Sequence, residues 1–268
     1  MNVFIEGAAL WARQAPGWIA WCAALRGEPP TPADKPAAAL LSANERRRAS
    51  DSVLLAIDVA EQAVRASGRD TVQLASVFTS AHGDLAVTDA LCAQLAQAPL
   101  QLSPTRFHHS VHNAASGYWA IATGCRAPST ALSAHTHSFA AGLLEALVFC
   151  ACEQEPVLLV GHDTEARGLL AEVNSSRGLL GVALVLSPER SASSMAMLHW
   201  QLDNGASAAP ALRSDVARTL QSSAMSDALP LFESLALDAE QSLSLPLSGA
   251  RHLALRHHRA QHISSSTP

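Results

Sequence analysis

The run Pro156-Val157-Leu158-Leu159-Val160-Gly161-His162-Asp163-Thr164-Glu165-Ala166 sets the architecture. Its Val/Leu centre has no polar alternation and is bracketed by Pro and Gly, which is the composition of a strand buried on both faces. The residues from Gly161 to Glu165 read as the turn that ends it, with Asp163 and Glu165 as turn residues. Just upstream, Ser138–Glu153 has the length and apolar content of a core helix, and Ser129–Ala134 reads as a short strand. Leu179–Leu186 repeats the Val/Leu pattern downstream, while Val72–Ser80 and Asp84–Ala96 add a strand and a helix on the other side. Strands alternating with helices specify an α/β fold, layered, with a central sheet covered on both faces.

Further out, Val3–Leu10 reads as a buried strand, Trp11–Leu25 as an aromatic-rich segment, and Gly27–Pro36, with its four prolines, as a loop. Ser42-x-x-Glu45 is a capping-box pattern. With Val53, Ile57, Ala60 and Val64 at helical spacing, it predicts one long amphipathic helix over Ala43–Ala66, ended near Gly68, with Asp58, Glu61 and Arg65 on its outer face. Ser103–Gly124 is a loop leading into a helix that is rich in small residues. After Ser187, a strand over Met195–Leu202, a linker over Asn204–Pro210, one or two helices over Val216–Leu237 broken at Pro230, and a strand pair (Ser242–Leu247, His252–Arg256) precede a frayed end at Ser264–Pro268.

The chain has 268 residues, 18 basic against 23 acidic, with 49% hydrophobic and 15% charged residues. That is a globular composition, not a disordered one. Lys35 is the only lysine, and the mild negative balance offers no field for a nucleic acid. Five cysteines, an odd number without C-x-x-C spacing, argue against a disulfide framework and for a reducing compartment. The N-terminus has no basic leader, and the apolar passages are interrupted or too short to cross ~30 Å of hydrocarbon. A cytoplasmic protein with no membrane span is expected.

Two histidine groups, His108-His109-x-x-His112 and His135-x-His137, invite a metal reading, but H-E-x-x-H is absent and no metal is expected. His135 and His137 should share one face of a strand, with Thr136 on the other. G-x-S-x-G and both phosphate-binding glycine motifs are missing, so neither a serine hydrolase nor a nucleotide site is indicated, and no cofactor is expected. Glu45-Arg46-Arg47-Arg48 is the one concentrated positive patch, read either as a solvated first turn or as a dock for an acidic carrier protein.

The order of features over Ser103–Ala166 resembles one family. Ser103-Pro104-Thr105-Arg106-Phe107-His108-His109-Ser110-Val111-His112-Asn113-Ala114-Ala115-Ser116-Gly117 resembles the β-ketoacyl synthase segment in which Asn, small residues and Gly open a helix. Ala131-Leu132-Ser133-Ala134-His135-Thr136-His137-Ser138-Phe139-Ala140-Ala141-Gly142 falls where that family has its strand, nucleophile elbow and buried helix. The Pro156–Ala166 run is similar to the family's next strand, which ends Gly-Gly-x-Glu, apart from the second Gly. Leu40-Leu41-Ser42-Ala43-Asn44-Glu45-Arg46-Arg47-Arg48-Ala49-Ser50 looks like the branch of β-ketoacyl synthase-like N-terminal domain proteins. The resemblance implies a thiolase-like layered fold, mainly the N-terminal half of a synthase over residues 1–190, with residues 191–268 completing or capping it.

Two departures shape the functional expectation. Gly117 and Glu145-Ala146 anchor an alignment that puts Thr136 where the synthase cysteine would stand, and a Thr hydroxyl without an assigned base cannot replace a thiolate. After Leu186 the chain is too short for the half that carries the family's two catalytic histidines. The resemblance then implies a chain-length factor of type II polyketide or aryl polyene (xanthomonadin-type) pigment synthesis, with no catalytic residue of its own. Such a factor forms a heterodimer with a ketosynthase, bounds its acyl tunnel and meets acyl carrier protein through the complex.

Phe107, His112, Asn113, Tyr118, Trp119, Thr136 and Phe139 are the expected tunnel or partner residues, the aromatic ones forming a cluster, and Arg46, Arg47 and Arg48 are the expected carrier dock. By the same resemblance, the segment before the nucleophile position lies at the family's dimer interface. A half-fold should also leave apolar faces uncovered, whose burial at ~25 cal/mol per Å² would favour a second subunit. The other reading is an acyl-thioester hydrolase or decarboxylase using Thr136 with His135 or His137.

Overall fold

The computed structural model describes residues 1–29, 31–174, 176–205, 207–237 and 240–259, so the expected frayed end at Ser264–Pro268 lies outside the described residues. The chain opens with β1 (Asn2–Ala12), the two-residue β2 (Ala15–Pro16) and α1 (Trp18–Leu25). Next come α2 (Ala43–Arg48), α3 (Asp51–Ser67), β3 (Ala75–Thr79), α4 (Leu85–Gln97), α5 (Pro104–His109) and α6 (Ala114–Thr123). The centre holds β4 (Ser129–Leu132), α7 (Ser138–Glu153), β5 (Val157–Asp163), α8 (Leu170–Val173) and β6 (Leu180–Ser187). It closes with β7 (Ala196–Asn204), α9 (Asp215–Thr219), α10 (Leu229–Ala236), β8 (Gln241–Pro246) and β9 (Arg251–Arg259).

All strands join one mixed sheet in the order β4-β3-β5-β6-β1-β7-β9-β8, with β2 paired to β1. β4, β3 and β5 run parallel, and the remaining neighbours are antiparallel. Side chains alternate across the sheet, so β5 sends Val157 and Leu159 into one core and Leu158 and Val160 into another. The first core holds α7 and the aromatic rings of Trp21 and Phe232; the second holds α3 and Trp119 of α6. The sheet is covered on both faces, as the apolar strands require.

Three expectations need correction. The long helix over 43–66 is two: Ala49 is extended, and Ser50 caps a second helix by accepting from the Val53 amide. The break has a packing reason. α2 buries no residue, whereas α3 is buried nearly all round, so a single straight rod could not serve both. Asp58, expected outside, is buried and accepts from the Ala38 amide at 2.9 Å and from Gln62 Nε2 at 2.6 Å, because residues 38–40 wrap over α3. Finally, the half-fold does not leave an apolar sheet face bare. β7, β8 and β9 bury Leu198, Trp200, Leu243, Leu245, Leu253 and Leu255 in the first core and turn polar residues such as His199, Gln201 and Arg256 outward.

Close approach fixes α3 on β1. A Cβ at Gly7 would lie 2.1 Å from the Ala63 carbonyl oxygen, so only glycine fits there. Gly142 of α7 meets β3 in the same way, with a Cβ 2.8 Å from Thr79 Cγ2. Where β3 and β5 begin, Glu6 is buried and takes Arg69 Nε at 2.7 Å and Arg69 Nη2 at 2.8 Å on its two oxygens, with Ser191 Oγ at 2.5 Å.

Candidate functional site

The parallel strands β4, β3 and β5 end together, and polar side chains collect at their carboxyl ends, where open α/β sheets hold ligands. β5 does not stop at Val160 but pairs with β6 as far as Asp163, so Asp163 is a fully buried strand residue and not part of a turn. Its carboxylate accepts from Ser80 Oγ (2.8 Å), the Ala81 amide (2.8 Å) and the His82 amide (3.2 Å), which fixes the loop after β3. Burial pushes Asp163 up to about 6 even against those donors. The neighbouring His162 faces α3, where its Nδ1 meets Ser52 Oγ at 3.0 Å, and burial holds it neutral, down to about 3.

α7 begins beside this cluster. His135-Thr136-His137 forms a single 3₁₀ turn after β4, with His135 in the left-handed region (φ 53°), so the two histidines do not share a strand face. The reason is Ser138, whose Oγ accepts from the Ala134 amide and donates to the His135 carbonyl, curling the chain into the helix. Thr136 is exposed, and among the described residues its hydroxyl meets neither histidine. His135 instead packs edge-on against His82, with ring centroids 5.7 Å apart. His82 Nε2 accepts from Asn174 Nδ2 at 2.9 Å, and burial, with His135 beside it, lowers its pKa.

The first turn of α7 is capped from far away in the chain. Asp227 Oδ2 accepts from the Ala140 amide at 3.1 Å, while Oδ1 is enclosed without a partner among the described residues. Burial, reinforced by the charge of Asp163, pushes Asp227 up to about 7. A carboxyl group from a distant segment therefore occupies the amino end of α7.

Thr136 separates two cavities. One, of about 280 Å³, is polar and includes His82, His135 and Asn174; the other, of about 570 Å³, is lined by Pro210, Leu212, Pro230, Leu245 and Asp227. The other expected residues disperse. Arg48, Asn113 and Tyr118 do meet, in a groove of about 350 Å³ shared with Val111 and Ile121. Arg46 and Arg47 lie with Arg48 in the last turn of α2, and Arg47 bonds Asn44 Oδ1. Phe107 is exposed on α5, and His112 Nε2 meets the Ser80 carbonyl oxygen at 3.0 Å.

The expected aromatic cluster is not one cluster. Trp119 lies in the core beneath α3, whereas Phe139 lies across the sheet against Phe232 (5.9 Å), because α6 and α7 cover opposite faces. Tyr118 stacks on His109 instead, at 5.8 Å. The histidine groups are likewise spread out, and among the described residues no three His, Cys, Asp or Glu side chains converge as metal ligands. The helical stretch 135–153 is long and apolar enough to cross a membrane by composition, but Phe139, Leu143, Ala146 and Leu147 pack it into the first core.

β4 is the outer strand of the sheet. The Ser76 and Ser80 amides donate to the carbonyls of Pro128 and Leu132, so alternate residues of β4 face β3. Ser129 and Ala131 therefore turn their backbone groups outward. α6, which packs against β3 and β4, exposes Ile121 (76%) nearby.

No curated protein matches the sequence. A chain of the complex between the ketosynthase ApeO and its chain length factor ApeC from Xenorhabdus doucetiae superposes with TM-score 0.72 at 24% identity, covering 97% of this chain and 100% of that one. A chain of AntDE:AntF, a type II acyl carrier protein in complex with its ketosynthase, gives TM-score 0.75 at 13% identity, covering 96% and 99%. A β-ketoacyl synthase from Burkholderia phymatum gives 0.61 at 13%, covering 88% and 77%. These likenesses establish a thiolase-like ketosynthase fold. The sequence profile of the β-ketoacyl synthase N-terminal domain matches residues 18–251, nearly the whole chain. With sequence and topology in agreement, the chain belongs to the β-ketoacyl synthase N-terminal domain family.

Proposed function

We propose that this chain is a chain-length-factor-like, noncatalytic partner of a ketosynthase, acting in the cytoplasm in the synthesis of polyene or fatty-acid-like polyketides. The observation that carries the reading is the start of α7. Where the family's nucleophile would stand there is an exposed threonine without a histidine partner among the described residues, and the Ala140 amide behind it is already held by Asp227. The complexes among its structural relatives, ApeO with ApeC and the ishigamide ketosynthase/chain length factor, support the same role. In this reading the outward edge of β4 pairs with the ketosynthase, and Val111, Ile121 and Tyr118 flank the contact. Phe107, the exposed aromatic on α5, is the side chain offered to a growing acyl chain, and a bulky wall there makes further extension sterically costly. Carrier protein would meet the complex at Arg46, Arg47 and Arg48.

Co-expression with a ketosynthase and mass measurement after size exclusion test it. A one-to-one complex is expected. Ala131→Pro, which removes an outward donor without touching the β3 ladder, should abolish that complex while circular dichroism stays unchanged. Hydrolysis of an acyl thioester by the isolated chain, lost in Thr136→Ala, would overturn the reading in favour of a hydrolase.

A further inference from the structure

The cavity of about 570 Å³ beside Thr136 has no part in the function proposed above. It is lined by Pro230 of α10, by Leu245 and Pro246 of β8, and by Pro210 and Leu212 of the segment that joins β7 to α9. Three of these five are prolines, whose rings are fixed and carry no amide hydrogen, so the apolar part of the lining is stiff and already shaped. Its size falls within the roughly 300–1,000 Å³ of small-molecule sites. Residues 207–212 make no backbone–backbone hydrogen bond among the described residues, and Ala209 and Ala211 are exposed. A guest therefore meets a thin wall that can yield without breaking a strand or a helix.

Charge selects the head group. Arg218 of α9 lines the cavity and its side chain is half exposed (51%), so the guanidinium is within reach of a guest. Of its five N–H groups, one on Nη1 goes to Asp215 Oδ1 at 2.5 Å and one on Nη2 to the Arg213 carbonyl at 2.7 Å, which orients the group and leaves three donors. Asp215 does not line the cavity and is 99% exposed, so water screens much of its charge. Asp227 is the one acidic residue among the lining residues. Its Oδ1 is enclosed and its Oδ2 is taken by the Ala140 amide, so it offers a guest no bare carboxylate.

We propose that this cavity binds a small aliphatic carboxylate, its hydrocarbon body against the prolines and leucines and its head on the Arg218 guanidinium. Arginine suits that head because its planar fork matches a carboxylate. The inference does not rest on a ketosynthase partner, since every lining residue belongs to this chain.

Calorimetry and ligand-observed NMR on the full chain provide the test, with octanoate as probe and 1-octanol, octylamine and the N-acetylcysteamine thioester of octanoate as controls. Octanoate should bind saturably, and the alcohol and the uncharged thioester about tenfold more weakly, the loss expected for a charge-assisted hydrogen bond. Octylamine should bind no better than the alcohol. Arg218→Met keeps the aliphatic stem and removes the charge; it should bring octanoate down to the level of the alcohol and leave the alcohol unchanged. Ala211→Trp, at an exposed position, fills the cavity and should weaken octanoate and octanol alike by at least tenfold, which serves if the first variant disturbs α9.

Equal binding of octanol or of the thioester, tighter binding of octylamine, no saturable binding of octanoate, or octanoate binding untouched by either variant would each overturn the proposal. β8 and β4 are the two ends of the sheet, so neither variant lies at the edge assigned to the ketosynthase, and this site and the heterodimer stand or fall separately.

Discussion

Glu6 and Asp227 lie near opposite ends of the same strands and solve the same problem differently. Glu6, where β3 and β5 begin, is surrounded by a two-pronged arginine contact and a serine hydroxyl. Asp227, where they end, has one backbone amide on Oδ2 and nothing on Oδ1 among the described residues. Asp84 repeats the half-satisfied state at that second end. Complete pairing returns much of the desolvation cost and serves stability, while incomplete pairing leaves that cost standing and favours the protonated carboxyl, as at Asp227. At the amino end the buried carboxylate is fully paired; at the carboxyl end Asp163 is paired too, while Asp227 and Asp84 each keep one bare oxygen among the described residues.

The largest effect should come from breaking the satisfied end. Arg69→Met strands the Glu6 carboxylate in the core and should lower unfolding free energy by about 3 kcal/mol in urea titration. A loss below ~1 kcal/mol would erase the contrast between the two ends. Next, Asp227→Asn should sharpen it through pH. Asp227 titrates near 7 when folded and near the ordinary carboxylate value when unfolded, so the folded state binds more protons in between. Its contribution to stability is therefore complete at low pH and lost as pH rises toward 7. The variant's gain in urea midpoint over the parent should grow from pH 4 to pH 7 and level off above, and a pH-independent gain would contradict the buried carboxyl. Smallest of all, Thr136→Val should move stability by less than about 0.5 kcal/mol, because that side chain is exposed and its hydroxyl pairs with neither adjacent histidine.

Much of the fold was legible because its signals are local. The Val/Leu runs of β5 and β6, the capping box at Ser42 and the terminating Gly68 all act within a few residues, and each element stands where its pattern puts it. The break at Ser50 escaped because a serine inside an apolar period reads as tolerated until the burial of both halves is known. Asp58 was misplaced for a related reason: its partner is the Ala38 amide, twenty residues back. The site was less legible. Asp163 could have been recognised as a carboxylate ending a fully apolar run, where burial follows from the strand. Asp227 could not, since eighty-seven residues separate it from the amide it caps and nothing in its own neighbourhood announces the contact. Phe107, Tyr118, Trp119 and Phe139 looked like a cluster because they are close in sequence, but consecutive helices cover opposite faces of a sheet.

The outer strand of the sheet has a consequence for recognition. With only four residues, and just Ser129 and Ala131 presenting amides and carbonyls sideways, there is room for a single short set of rungs with a neighbour. Such a brief zipper adheres weakly to anything that happens by, and that protects the chain from indiscriminate sticking. In the proposed heterodimer the side chains on the adjoining helix, Ile121 foremost, would then set the choice of partner, so a change of one residue there should alter the pairing while the ladder itself stayed the same.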